Sequence, residues 1–478
     1  MTTTAHESGR RFRISLALPA SSAARFVSIA TSLWLVLFWG YGFLRYRAFF
    51  TAQLDFGDML QAVWNTAHGR FLESTTLAGE NVSRLGIHVD PLLAALAPLW
   101  WVWSSPVLLV TVLAIGLASG VVPVFLLARK HVGTERAARD LALVYLLCPM
   151  TQWNAVWDFH AVSLAIPLVL WAIWFLDEDR LLPFAACGLL AAASKEEIPL
   201  AVGCLGIWYA FNHGRRAVGA TIFVVGAAIT LVDFLVIVPH FWAAGASPFA
   251  KTFANIGGAP SGILHTAAAD PTRILGALFT MQNLGYVVLL SMLFAGMFFR
   301  APLIALGAVP DLAINMLSTS DNQHSLQFQY AAGLTPFLIA ATIFGVARVH
   351  TRIPLAPLIV LAFALFASVV FGPLRFSVPV VQAALPHNAE RQADSRAIAT
   401  IPSGEAVSAS NRLAGHLAAR RWIYVFPYVG KARWVIVDLN DPTYKPHALL
   451  TRGVRRVRRL PGWHVVFSQH NVLVLHRT

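Results

Sequence analysis

Long apolar runs recur through the first three quarters of this 478-residue chain and limit its fold more than any other feature. Hydrophobic residues make up 57% of the chain, whereas charged residues make up only 12%. Because an α-helix needs about 20 apolar residues to cross a bilayer, the chain predicts an all-α polytopic membrane bundle. About eleven transmembrane helices are expected, at 26–47, 106–128, 140–154, 161–176, 181–194, 198–212, 217–238, 276–299, 301–317, 330–347 and 353–373.

The basic residues predict which way the bundle is oriented. Loops on one predicted side carry arginine and lysine, as at 129–139, 215–216 and 348–352, and loops on the other side carry mainly Asp, Glu, His, Asn and Gln. Basic loops favour the cytoplasm. The N-terminal tail 1–25 is therefore expected inside the cell, and the first apolar run is expected to remain in the membrane as an anchor.

The first outer loop, 48–105, is too polar to cross a bilayer and concentrates ionisable groups between its apolar neighbours. Asp55 and Asp58 are three residues apart and would share one face of a helix, which Gln61 and Trp64 continue. One interpretation is an amphipathic surface helix that presents carboxylates to a substrate. The alternative is a solvated loop that lies on lipid. The loop also contains His88 and Asp90.

Other polar clusters fall on the same predicted outer side of the bundle. Charges close to the hydrocarbon are costly and tend to face a cavity or a partner. The clusters therefore predict a polar outer cavity that is roofed by loops, although membrane-end anchoring would explain any single cluster. They include Asp158 and His160 within 157–160, Lys195 and Glu196 within 195–197, the segment 240–273, and His324 within 321–324.

After Pro373 the chain acquires the pattern of a small α/β domain, 374–478, with 15 basic and 5 acidic residues. An odd number of spans places this domain outside the cell. Its basic run, 452–459, makes anionic lipid headgroups or an anionic polymer better partners than nucleic acid, and a solvated basic face is the alternative. Strands are predicted at 406–409, 422–426, 434–438, 462–468 and 472–476, and a helix at 411–419.

Short motifs along almost the whole chain match the pattern of one superfamily. They are Asp55-Phe56-Gly57, 61–65, His68-Gly69, His88, Pro91, Asp158-Phe159-His160, Lys195-Glu196, 324–330, Ser408-Ala409-Ser410-Asn411, Arg420-Arg421, 424–427 and 434–438. The chain resembles the GT-C superfamily of integral-membrane glycosyltransferases, and more closely a bacterial family of predicted membrane proteins grouped with it. It departs from the family pattern at Leu60, where an acid is expected, and at Asp58, where an apolar residue is expected.

The resemblance implies a GT-C-like transmembrane domain, 26–373, in the bacterial plasma membrane. It also implies transfer of a sugar from a polyprenyl-phosphate donor to an extracytoplasmic glycan or glycolipid acceptor. Asp55 is then the candidate base, because an attacking hydroxyl must lose a proton, and Asp58 is a second catalytic candidate. The candidate substrate-binding residues are Gln61, Trp64, His88, Asp90, Asp158, His160, Lys195, Glu196 and His324.

No cofactor is expected to be required. A divalent metal has His and Asp ligands available, but no compact ligand spacing demands one. Two other function classes remain open: a lipid or glycolipid transporter, and a non-catalytic envelope assembly factor. A transporter is less consistent with the chain because no internal repeat or paired broken helices are visible.

Overall fold

The computed structural model describes residues 21–242, 249–446 and 448–478. Most of the predicted N-terminal tail, residues 1–20, and six residues of the polar segment 240–273 lie outside the described residues.

The chain before the C-terminal domain is mostly helical. Its helices are α1 Ser22–Arg47, α2 Asp58–Ala67, α3 Ala97–Val102, α4 Val107–Ser119, α5 Val121–Val132, α6 Glu135–Leu147, α7 Pro149–Val156, α8 Ala165–Asp177, α9 Leu181–Ala192, α10 Ile198–Asn212, α11 Arg216–Val232, α12 Val238–Phe241, α13 Pro260–Ala269, α14 Pro271–Leu278, α15 Met281–Leu293, α16 Pro302–Ala305, α17 Val309–Leu317, α18 Thr335–Val349, α19 Ala356–Phe371 and α20 Ser377–Ala384.

Within the described residues, four helical stretches are long and apolar enough to cross a membrane, or five if the bent pair α14–α15 is one span. The expected count of about eleven is not confirmed, because six further apolar helices are only 10–17 residues long. The predicted span 140–154 is two helices: Pro149 opens α7 after Cys148 takes an extended conformation. The four long stretches are Ser22–Arg47, Val107–Val132, Arg216–Phe241 and Ala356–Ala384.

The tail forms a small domain built on a five-stranded sheet. Its order is β4-β3-β5-β7-β6, with parallel pairing among the first three strands and antiparallel pairing from β5 onward. The strand predictions match this sheet to within about two residues. The strands are β3 Val407–Ala409, β4 Ile423–Val425, β5 Trp434–Asp438, β6 Trp463–Gln469 and β7 Val472–Arg477, and the helices are α21 Ala389–Ala399, α22 Asn411–His416 and α23 Ala448–Arg458.

The first loop joins the two parts of the molecule. It contains α2 and a two-stranded hairpin, β1 Glu73–Thr75 and β2 Asn81–Ser83. Phe49, just after α1, packs into the hydrophobic core of the C-terminal domain beside Val407 and Leu413. The start of the first loop is therefore held between the helical bundle and the C-terminal sheet.

Candidate functional site

Asp55 lies on a π-helical turn, Gln53–Gly57, that directly precedes α2. The wide turn includes a hydrogen bond of 2.9 Å from the backbone N–H of Gly57 to the carbonyl of Ala52. This turn replaces the α-helical geometry that the shared-face prediction assumed, and the two carboxylates have different partners: Asp55 faces His160 and Asp58 pairs with Arg84. Such π-helical insertions often occur at functional sites.

Side chains from two distant segments satisfy the free backbone N–H groups at the start of this turn. Asp158 Oδ2 accepts a hydrogen bond of 2.9 Å from Ala52 N. Asn411 Oδ1 accepts hydrogen bonds of 3.1 and 3.3 Å from Gln53 N and Leu54 N. The position of Asp55 therefore depends on residues more than 100 positions away in sequence.

The carboxylate of Asp55 faces the imidazole of His160, with Oδ1 3.4 Å from Nε2. The other ring nitrogen, Nδ1, lies 2.8 Å from the carbonyl oxygen of Asp158. Because a carbonyl only accepts hydrogen bonds, Nδ1 carries a proton and Nε2 faces the carboxylate. Burial raises the pKa of Asp55, but His160, Arg84 and Arg45 outweigh burial and hold that pKa below its ordinary value. Asp55 is therefore ionised at neutral pH.

Asp158 is buried at the foot of the Asp55 turn. Arg45, near the end of α1, lies 3.3 Å from its Oδ1, stacks on the ring of Trp157 and donates to the carbonyl of Phe50. Burial raises the pKa of Asp158, and the charge of Arg45 opposes that rise. With one oxygen on Arg45 and the other on Ala52, the carboxylate of Asp158 fixes the turn.

Arg84 is a buried cation between two carboxylates of the first loop. Its Nε lies 2.8 Å from Asp90 Oδ2, and its Nη1 pairs with Asp58. Burial lowers the pKa of Arg84, but Asp90 and Asp58 outweigh burial and raise it. Two sequence-predicted site residues are thus neutralised by an arginine that the sequence analysis did not select. An arginine among the acids of this loop was the available signal.

A second buried network lies around Glu196. Its Oε1 is 2.9 Å from His88 Nδ1, and its Oε2 accepts a hydrogen bond of 3.1 Å from Val89 N. Burial raises the pKa of Glu196, but His88 and Lys195 outweigh burial and lower it to about 2. Lys195 itself lies 2.6 Å from Glu197 Oε1. Glu197 is a further residue of this network that the sequence analysis did not select.

A cavity of about 400 Å³ adjoins this second network. Its polar end is formed by His88, Lys195, Glu196, Glu197, Gln323 and Tyr330. Its other walls are apolar and include Leu231, Phe234, Phe249, Phe253, Ile263 and Leu317. A cavity with one polar end and apolar walls fits an amphipathic ligand.

Tyr330 connects the cavity with the Asp55 turn. It lines the polar end of the cavity. Burial raises the pKa of its hydroxyl, while the nearby charge of Lys195 opposes and that of Asp55 reinforces this rise. Tyr330 is therefore within electrostatic reach of both, although Asp55 itself does not line the cavity.

The structure does not bring Gln61 into this site. Its side chain is fully buried and its amide is satisfied by protein groups. Oε1 accepts from Thr75 N at 2.9 Å, and Nε2 donates to Thr75 Oγ1 and to the carbonyls of Arg420 and Arg421 at 2.8, 3.2 and 3.0 Å. Gln61 thus joins the first loop to the C-terminal domain.

Trp64 and His324 also lie outside the cavity wall. Trp64 stacks on His68 with the ring centroids 4.0 Å apart. The Nε2 of His324 lies 2.7 Å from Asn283 Oδ1, and its neighbour Gln323 is the residue that reaches the cavity.

Between residues 21 and 478, outside the two short gaps, no group of three or more His, Cys, Asp and Glu side chains has the arrangement of a metal site. The acidic side chains of the candidate site are instead paired with arginine, lysine and histidine.

Comparison with solved structures shows a related fold. ArnT from Cupriavidus metallidurans, crystallised with bound undecaprenyl phosphate, superposes with a TM-score of 0.56 at 11% identity, covering 95% of this chain and 98% of ArnT. The Archaeoglobus fulgidus oligosaccharyltransferase, in complex with Zn and sulfate, gives a TM-score of 0.43 at 15% identity, covering 86% of this chain and 68% of that chain. The apo form of the same enzyme gives a TM-score of 0.42 at 13% identity, covering 87% of this chain and 70% of that chain.

Comparison with curated proteins gives no match. The family described as "Predicted membrane protein (DUF2079)" matches residues 45–471. This match begins at the end of α1 and runs through the candidate site to the turn that precedes β7, the last strand of the chain. The chain therefore belongs to the DUF2079 family of predicted membrane proteins.

Proposed function

We propose that this protein is a GT-C-type membrane glycosyltransferase that moves a sugar from a polyprenyl-phosphate donor to a cell-envelope glycan or glycolipid. The observation that carries the proposal is an ionised carboxylate, Asp55, on a braced turn, whose charge acts on Tyr330 at the polar end of an amphipathic cavity. The fold shared with ArnT, which was crystallised with undecaprenyl phosphate, supports a lipid-linked donor.

The donor would lie along the apolar wall of the cavity, with its phosphate and sugar at the polar end. A leaving phosphate needs cationic or hydrogen-bond-donating partners. His88, Lys195, Gln323 and Tyr330 are the side chains at that end that can donate to it. Glu196 orients His88 through their 2.9 Å contact. That no cofactor is required, with a divalent metal possible, stays a prediction, and no step below requires a metal.

In the proposed reaction the acceptor hydroxyl attacks the anomeric carbon and gives its proton to Asp55. The new carbon–oxygen bond forms as the bond between the sugar and the phosphate breaks, and the electron pair leaves with the lipid phosphate. A nearby carboxylate also stabilises the oxocarbenium character of the transition state. His160 Nε2, 3.4 Å from Asp55, lies close enough to share the proton after a small closing movement.

The proposed membrane is the bacterial plasma membrane, with the N-terminus in the cytoplasm and the C-terminal domain outside. Basic loops on one side support this orientation. A reporter that is active only in the cytoplasm, fused after Thr478, should be silent. A working reporter would reverse the sidedness and place the candidate site on the cytoplasmic face.

The test is transfer from a panel of polyprenyl-phosphate sugars by purified, folded protein. Asp55→Asn should keep donor binding and slow transfer by about 10²–10⁴, because it removes the proton acceptor without changing shape. Glu80→Gln changes an exposed acid of the same loop and should transfer at the wild-type rate. Full activity in Asp55→Asn would exclude this carboxylate as the base. Donor binding without turnover by the wild type would favour a lipid transporter, and neither binding nor turnover would favour an assembly factor.

A further inference from the structure

We propose that Asn411, in the C-terminal domain, is a positioning residue for Asp55, so that the candidate site is complete only when this domain is docked on the first loop. Asn411 ends the Ser408-Ala409-Ser410-Asn411 motif, to which the proposed reaction assigns no role. The effect on turnover rests on the proposed function, whereas the effect on the Asp55 turn does not.

The contact between Asn411 and the turn is specific. The side chain is 7% exposed, and its Oδ1 is the acceptor for both Gln53 N and Leu54 N. These amides lie at the start of the π-helical turn, where the helix supplies no acceptor of its own. Removing the Asn411 oxygen would take away the hydrogen-bond acceptor of two backbone amides in the Asp55 turn.

Backbone also meets backbone at this contact. A Cβ atom added to Gly57 would lie 3.1 Å from the Cα of Gly415 in α22, which is closer than almost any real side-chain contact. A Cβ atom added to Gly415 would lie 3.2 Å from the carbonyl carbon of Ala52. The helix that carries Asn411 therefore packs directly on the turn.

Neighbouring contacts hold the same domain in place on both sides of the turn. Before it, His416 stacks against Tyr46 and Phe49, with ring centroids 4.2 and 4.0 Å apart. After it, Gln61 donates to the carbonyls of Arg420 and Arg421. Unlike these flanking contacts, the hydrogen bonds of Asn411 are made to the backbone of the turn itself.

Loss of the Asn411 acceptor should let the turn shift away from its present geometry. Asp55 would then no longer hold its distance of 3.4 Å from His160. Small displacements of a base cost rate because the reacting atoms must be aligned. The polar groups that line the donor cavity do not include Asn411, so donor affinity should be spared.

The experiment compares full-length wild type, Asn411→Ala, Asn411→Asp and the matched control Asn440→Ala, whose side chain is exposed in the same domain. Hydrogen exchange of a peptide covering 52–57 reports the turn without any need for activity. In Asn411→Ala this peptide should exchange about tenfold faster or more, as expected when amides lose an acceptor. Asn411→Asp keeps an acceptor oxygen and should restore slow exchange, and Asn440→Ala should match the wild type.

Kinetics give the second readout. Asn411→Ala should lower kcat by about 10- to 100-fold with the donor KM within about twofold, and Asn411→Asp should recover most of kcat. Unchanged exchange at 52–57 in folded Asn411→Ala would overturn the proposal, as would a raised donor KM with kcat intact. Faster exchange in a protein whose wild type turns over no donor would keep the positioning role and reject the proposed function.

Discussion

The two acidic centres of the first loop use the same residue types in opposite ways. Around Arg84, the carboxylates of Asp58 and Asp90 are 19% and 3% exposed and are paired with a buried guanidinium. Asp55 is 39% exposed, and its close ion-pair partner is a histidine at 3.4 Å. Charge that is neutralised inside the protein supports the loop, whereas a carboxylate that stays open and ionised is available for proton transfer. Proximity in sequence therefore does not make Asp55 and Asp58 equivalent.

The sharpest test of this contrast removes the buried cation. Arg84→Met keeps much of the volume but leaves Asp58 and Asp90 buried without their partner. Breaking a buried ion pair from one side costs about 3–5 kcal/mol, so the midpoint of chemical or thermal unfolding should fall markedly. Asp55→Asn, by comparison, should change the midpoint little. An Arg84→Met protein as stable as the wild type would show that this centre does not support the loop.

The second prediction concerns the contact that holds the Asp55 turn against the C-terminal domain. Burial between aromatic rings lowers the pKa of His416 from 6.5 to about 3. A hydrogen bond that the ring donates to the backbone of Tyr46 opposes this shift, and the charge of Arg391 reinforces it. A histidine kept neutral in the fold contributes stability above pH 6.5 that is lost as the pH falls toward 3. The free energy of unfolding should therefore be about 2 kcal/mol lower at pH 5 than at pH 8.

His416→Phe keeps the aromatic stack and removes the titration. Unfolding measured at pH 8 and pH 5 should therefore differ less in this variant than in the wild type, by about the same 2 kcal/mol. The same pH dependence in both proteins would show that His416 is not the group that titrates.

The third prediction compares the two acids directly by turnover. Asp58→Asn should slow transfer less than tenfold, because Asp58 is committed to Arg84. Asp55→Asn should slow transfer by about 10²–10⁴. Transfer rates under saturating donor decide between them. A larger loss in Asp58→Asn would mean that Arg84 and its partners act in the reaction, and it would reverse the contrast between the two centres.

The sheet of the C-terminal domain could be predicted because its strands obey a local rule. Short apolar runs bounded by turn residues predicted a strand at 434–438 and a final hairpin. Both are present in the structure. The number of membrane spans could not be predicted in this way. A hydropathy rule only counts apolar segments. In the structure one predicted span is broken between Cys148 and Pro149, and α14 is bent against α15 by 51°. Neither the break nor the bend can be derived from composition.

Several residues of the candidate site could be predicted from the sequence, but the contacts between them could not. His88, Lys195 and Glu196 were selected because they are polar residues at membrane ends, and they line one cavity. The pairs that define the site join residues 26, 108 and 358 positions apart, as in Asp58–Arg84, His88–Glu196 and Gln53–Asn411. No periodicity relates such positions, so only the fold reveals which charges are neutralised.

The last prediction concerns the basic helix α23, whose arginines form no ion pair with an acid in the part of the chain that the structure describes, unlike Arg84. On α23 the apolar residues Leu450, Val454 and Val457 are buried, whereas Arg452, Arg455, Arg456 and Arg458 are exposed, as is Arg459 directly after the helix. We propose that this face meets anionic lipid headgroups.

Arg456 also donates to the carbonyl of Pro427 at 2.8 Å, so it is left unchanged and the other four arginines are replaced by glutamine. Full-length protein in detergent should then bind short-chain phosphatidylglycerol more weakly, by about fivefold or less, because exposed charges contribute little individually. The difference should shrink as salt is raised from about 0.01 M to 0.15 M, since screening shortens the reach of charge from about 30 Å to about 8 Å. Arg433→Gln, which alters an exposed arginine elsewhere in the domain, is the matched control and should bind like the wild type. If the variant with four glutamines binds phosphatidylglycerol as tightly as the wild type at low salt, this cationic face is simply solvated. The same conclusion follows if the variant loses as much affinity for phosphatidylcholine as for phosphatidylglycerol.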